Sequence, residues 1–169
     1  MRGDLHTLRR VCSYASVVMF AGEIAFIILT IASLALGIWS FLSDDVREMF
    51  TDLIRCGSSD LSLISGSVEM ALLFITMFIT VKAIHDIMVP IQNDNSPFME
   101  ENSSHFKLIC MTFLISSVPL CILEYLNRED LVLALCVLLI CILISVVMYC
   151  LTIIFRYGYL LQDESDHTL

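Results

Sequence analysis

Apolar residues fall into four long blocks separated by short polar stretches. The most uniform block is 131–155, LVLALCVLLICILISVVMYCLTIIF, with no charge, proline or glycine over about 25 residues. A bilayer core needs about 20 helical residues. The Ser, Thr, Tyr and Cys within it are tolerated in lipid, because a helix can bond them to its own backbone or to a neighbour. A soluble helix that is apolar on every face needs a larger protein around it, so this block reads as a membrane span.

The other blocks follow the same logic. Residues 11–42 carry a single charge, Glu23, over about 32 residues, longer than the 7–15-residue core of a cleaved signal peptide. The block therefore predicts an uncleaved first span over about 17–41, with Trp39 and Phe41 at the far interface. A second span is expected over 61–82, its helix continuing to Pro90, with Asp60 as cap. A third is expected over 106–126, kinked at Pro119, with Ser116 and Ser117 satisfying freed backbone groups. Asn127 to Asp130 then forms a charged turn into the last span.

Between the first two spans the period changes. Val46, Met49, Phe50, Leu53 and Ile54 recur at i, i+3, i+4, i+7 and i+8 with charges between them. This predicts an amphipathic helix over about 43–56, with Ser43 as N-cap, Asp44 and Asp45 in its first turn, and Gly57-Ser58-Ser59 as its end. Ser96-Pro97 followed by Glu100 and Glu101 predicts another helix start, Ser96 as N-cap and Pro97 at the first helical position. The expected fold is an all-α integral membrane protein of one domain, residues 1–169. Four transmembrane helices form an antiparallel bundle, with the extra amphipathic helix on the outer surface and helix extensions in the cytoplasm.

Composition reinforces the membrane reading. The chain has 169 residues, 58% hydrophobic and 16% charged, with a mean hydropathy of +0.87. Soluble domains hold about 45–50% apolar and about 25% charged residues. The formal charge of −9 argues against direct binding of nucleic acid while leaving an acidic face for a basic protein. Arg2, Arg9, Arg10, Lys82, Lys107 and Arg156 fall on one side of a four-span layout, against Arg47, Arg55 and Arg128 on the other. The positive-inside rule then puts both termini, the loop 83–105 and the tail 156–169 in the cytoplasm of a cell with a multi-pass plasma-membrane protein.

Of the seven cysteines, Cys110, Cys121, Cys136, Cys141 and Cys150 lie in apolar stretches without C-x-x-C or a histidine at ligand spacing and read as small packing residues. Cys12 sits at a membrane edge and Cys56 in a loop, and no metal or cofactor is expected. Nucleophile-elbow, zinc-protease and phosphate-loop signatures are also missing, so no enzyme is expected. The chemistry that remains is charge inside lipid, which costs at least about 2.5 kcal/mol at a span centre. Glu23, Glu69 and Lys82 are the intramembrane charges. Glu23 is expected to pair with Lys82 across antiparallel helices, or to bond a Ser or Tyr in protonated form. Glu69 is read as a helix-end acid meeting solvent, with Arg47, Arg55 or a polar cavity as alternatives. His85 and Asp86 are read as an interfacial, solvated pair, because adjacent helical residues point different ways.

Two stretches resemble a known family. Ser96-Pro97-Phe98 with Glu101-Asn102 is similar to the motif that opens the third span of the bacterial and archaeal membrane family labelled domain of unknown function 2975. The ending that contains Phe155, Arg156, Tyr157, Gly158, Leu161, Gln162, Glu164, Asp166 and Thr168 resembles the terminal pattern of that family. Ser103-Ser104-His105 departs from it where relatives often carry a basic residue. The resemblance implies a four-helix membrane protein without established activity, often found together with a small helix-turn-helix regulator.

The expected function is therefore a non-enzymatic regulatory or interaction platform in the lipid bilayer. Its acidic tail would dock on the Pro97 loop or tether a basic cytoplasmic protein such as a helix-turn-helix regulator, and Arg156 would pair with Glu100 or Glu101. The alternative is a small transporter or peptide-resistance (immunity) protein that acts as a homo-oligomer around Glu23, Glu69 and Lys82.

Overall fold

The computed structural model describes residues 2–55, 57, 59–93 and 98–167. Every element among them is helical: α1 (Arg2–Trp39), α2 (Asp44–Ile54), α3 (Asp60–Gln92), α4 (Glu100–Arg128) and α5 (Leu131–His167). Four are long and apolar enough to cross a membrane, over Arg10–Trp39, Asp60–Gln92, Glu100–Arg128 and Leu131–Ser165.

Helix boundaries follow local chemistry, with corrections to the expected caps. Ser43 precedes α2 in an extended conformation but makes no side-chain capping bond. Arg55, in the left-handed region at φ 55°, ends α2 before Gly57 is reached, its N–H donating to the Thr51 carbonyl. Ser59, not Asp60, caps α3 by accepting from the Ser62 N–H at 3.2 Å. A hydroxyl one residue earlier reaches that N–H, while Asp60 becomes part of the first turn. Asp130 caps α5, accepting from the N–H groups of Val132 and Leu133 at 2.9 and 3.1 Å.

Ser96 and Pro97 lie outside the described residues, as do Cys56 and Thr168. Phe98 and Met99 are not helical, so α4 starts at Glu100, later than the Ser96-Pro97 reading placed it. Helix α3 passes through Pro90 to Gln92, and α4 passes through Pro119. Near Pro119, Ser117 donates to the Leu114 carbonyl at 2.7 Å. Ser116 instead meets Thr76 of α3, with 3.1 Å between the hydroxyls.

Extensive packing runs between consecutive long helices: α1 on α3, α3 on α4, and α4 on α5, with α2 against α1. Each of these long pairs is antiparallel. Residue contacts descend on one helix as they ascend on the other: Ser13 with Gln92 and Glu23 with His85, Asn127 with Glu69 and Ser116 with Thr76, Ser103 with Thr152 and Cys110 with Ser145. Small residues allow close approach. A Cβ on Gly37 would fall 2.5 Å from Ser67 Cβ.

The central core is Ala83, Ile109, Phe113, Leu120 and Cys141. Phe50 and Ile54 of α2 bury against Leu63 of α3, whereas Met49 and Leu53, expected on the same apolar face, are 54% and 70% exposed. The stripe therefore splits between a protein-facing and an outward-facing half. Cys12, Cys110 and Cys141 are buried as packing residues, while Cys136 and Cys150 are exposed.

Candidate functional site

Three polar constellations stand out along the helix pairs. The first lies at the end that gathers the α4 start and the α5 finish. Phe98 stacks obliquely on Phe155, with centroids 5.5 Å apart, and Phe106 takes the other side of Phe155 at 4.7 Å. Gly158 is required by this contact: a Cβ there would lie 2.5 Å from Phe98 Cδ1. One turn further along α4, Asn102 is 1% exposed, and Ser103 donates to the Thr152 carbonyl at 3.2 Å.

The two stretches singled out in the sequence thus meet through Phe98, Phe155 and Gly158. Tyr157 and Leu161 face outward at 63% and 49% exposure and take no part. Pro97 and Thr168 lie outside the described residues, as does the Asp166 side chain. Above the aromatic contact is a cavity of about 330 Å³ lined by Phe98, Met99, Glu100, Glu101, Tyr159, Gln162 and Asp163. Glu164 is exposed on the continuing helix. The expected pairing of Arg156 with Glu100 or Glu101 is not formed. Arg156 and Glu100 line a second cavity together, but no ion pair among the described residues joins Arg156 to either acid.

The second constellation corrects the Glu23–Lys82 pairing. His85 takes the Glu23 carboxylate, with 2.6 Å between Nδ1 and Oε1, and the two side chains are only 19% and 14% exposed. Lys82 reaches Asp86 on its own helix at 3.6 Å and is 53% exposed. His85 lies on the α3 face toward α1, and Lys82, about 60° round and about 4.5 Å along the helix from it, is half exposed. His85 is therefore shielded rather than solvated. Its replacement by Ala should lower the melting temperature clearly, because the shielded carboxylate loses its partner, at about 1–3 kcal/mol. Lys82→Ala should stay within about 0.5 kcal/mol of wild type. Thermal denaturation of both variants in detergent checks the order.

The third constellation sits at the opposite end. Glu69 is 5% exposed rather than solvent-facing. It accepts from Asn127 Nδ2 at 3.0 Å and lies within hydrogen-bonding reach of the Glu124 carboxyl. Glu124 is 3% exposed and pairs with Arg128 at 3.3 Å. Arg128 also donates to the Ile54 carbonyl of α2 at 3.4 Å, and the Gly57 N–H donates to the Asn127 carbonyl at 3.4 Å. Asn127 Oδ1 is buried without a hydrogen-bond partner.

Sequence reasoning missed Glu124 and Asn127, assigning one to the end of a span and the other to a charged turn. The Glu124–Arg128 spacing of i, i+4 was the available signal. A cavity of about 390 Å³ lined by Arg55, Gly57, Ser59, Ser62, Leu126, Asn127, Arg128 and Glu129 adjoins the cluster.

No family model, curated protein or solved structure matches this chain. Among the described residues no group of three or more His, Cys, Asp and Glu side chains is arranged to hold a metal ion. The chemistry on display is therefore carboxyl, guanidinium, amide and aromatic contact between helices.

Proposed function

We propose that this protein is a non-enzymatic interaction platform of the plasma membrane, an antiparallel four-helix bundle with both termini in the cytoplasm and α2 on the outer surface. The observation that carries this reading is the seating of Phe98 against Gly158 and Phe155, which fastens the start of α4 to the extension of α5. The extension then brings Asp163 next to Glu100 and Glu101 around one cavity, with Glu164 exposed on the same helix, as an acidic surface. A basic soluble protein, including a DNA-binding regulator, would meet this surface with the charges it otherwise offers to phosphate.

The seating predicts a specific variant. Gly158→Leu should displace Phe98 and reduce recovery of cytoplasmic partners in a crosslinked pull-down, while the protein still inserts in the membrane. A partner set identical to wild type, for this variant and for a chain ending at residue 158, would refute the platform.

A second reading draws on the buried Glu69–Glu124 pair beside an open cavity. It is a small transporter or peptide-resistance protein acting as an oligomer. Proton-coupled flux in liposomes that disappears in Glu69→Gln would favour it over the platform.

A further inference from the structure

Helices α4 and α5 part at one point to form a polar cavity of about 340 Å³, lined by Glu100, Ser103, Ser104, Lys107, Thr152, Arg156, Tyr159 and Leu160. Its depth in the membrane follows from charge spacing. On α4 no charged residue lies between Lys107 and Glu124, and on α5 none lies between Asp130 and Arg156. The uncharged run of α5 is about 25 residues, roughly 37 Å of helix, against a hydrocarbon core of about 30 Å. Lys107 and Arg156 are thus the first charges that each helix places beyond the hydrocarbon, at headgroup level.

Both cations are exposed, and no ion pair among the described residues engages either of them. An unpaired cation pair is notable in a chain of net charge −9. The Ser104 and Tyr159 hydroxyls add donors, whereas Ser103 is committed to the Thr152 carbonyl and Thr152 to the Met148 carbonyl. Leu160, one turn beyond Arg156, supplies an apolar wall on the side away from the bilayer.

The geometry points to a binding site for the phosphodiester headgroup of a singly anionic phospholipid, held between Lys107 and Arg156. Formal charges on the wall sum to one positive, two cations less the Glu100 carboxylate. That balance suits a phosphodiester of charge −1 better than a doubly charged phosphomonoester. A guanidinium can engage two phosphate oxygens at once and an ammonium adds a point charge. Basic pockets between spans at a membrane surface take anionic headgroups on the same principle. This site goes beyond the platform reading and needs only that α4 and α5 cross a bilayer.

The test is native mass spectrometry of the full-length protein taken from nanodiscs of equal phosphatidylglycerol and phosphatidylcholine. Wild type should retain phosphatidylglycerol preferentially. Lys107→Gln and Arg156→Gln should each lower that retention about fivefold. Lys107→Arg should keep it, and Lys82→Gln, on another helix pair at the same end, should leave it unchanged. Unaltered helical circular dichroism shows that each variant is folded. Equal retention of the two lipids by wild type, or unchanged retention in the Lys107→Gln/Arg156→Gln double variant, would overturn the site. Thermal stabilisation in detergent by inorganic phosphate matching that by phosphatidylglycerol would overturn the lipid as its source.

Discussion

Leucine at position 37 should pull α1 away from α3 and lower stability by about 1–3 kcal/mol. The Gly37 backbone approaches Ser67 so closely that an added Cβ would sit 2.5 Å from Ser67 Cβ and 2.7 Å from its hydroxyl. Helix α1 packs extensively only on α3, with a slight contact on α2, so it has no other long surface to compensate. In lipid the loss is of dispersion and close packing rather than of hydrophobic burial, since acyl chains solvate leucine as well as protein does. Ala at the same site should also destabilise, because its methyl group is the clashing atom. Ser67→Gly introduced with Gly37→Ala should recover most of the loss, since the obstruction is the serine side chain. Detergent melting curves of wild type and the three variants measure these differences. A Gly37→Leu protein as stable as wild type would rule out the close approach.

The second large effect is expected at Asn127. Replacing it with Ala removes the amide that donates to Glu69 at 3.0 Å and leaves that buried carboxyl group beside Glu124 without its neutral donor. The cost should be about 1–2 kcal/mol, the size seen for polar contacts between spans. Glu69→Gln in the Asn127→Ala background should recover stability, because a Gln amide can donate to Glu124 in place of the carboxyl that lost its partner. If the two substitutions instead add independently in chemical or thermal melts, the two side chains are not coupled as drawn.

Length and apolarity made the four long helices legible, because no other environment accepts a run such as 131–155. Helix α2 was legible from its period, although the sequence could not reveal that Phe50 and Ile54 turn inward while Met49 and Leu53 do not. That division depends on where α3 lies. Pairing of charges was read less well. Depth along antiparallel helices made Lys82 a plausible partner for Glu23, but His85, one turn along the same helix, takes the carboxylate. Glu124 was overlooked because it stands at the edge of an apolar run, where an acid normally meets water. Its burial arises from Asn127, Arg128 and α2 closing over that edge.

The order in which the long helices pack has a consequence for biosynthesis. Each one finds its main partner in the long helix made just before it, with only α2 intervening between the first two. Loop closure is therefore short at every step. A nascent chain leaving the insertion machinery can complete each interface before the next segment emerges, so a ribosome halted beyond α4 would already hold the α1–α3 and α3–α4 contacts in place.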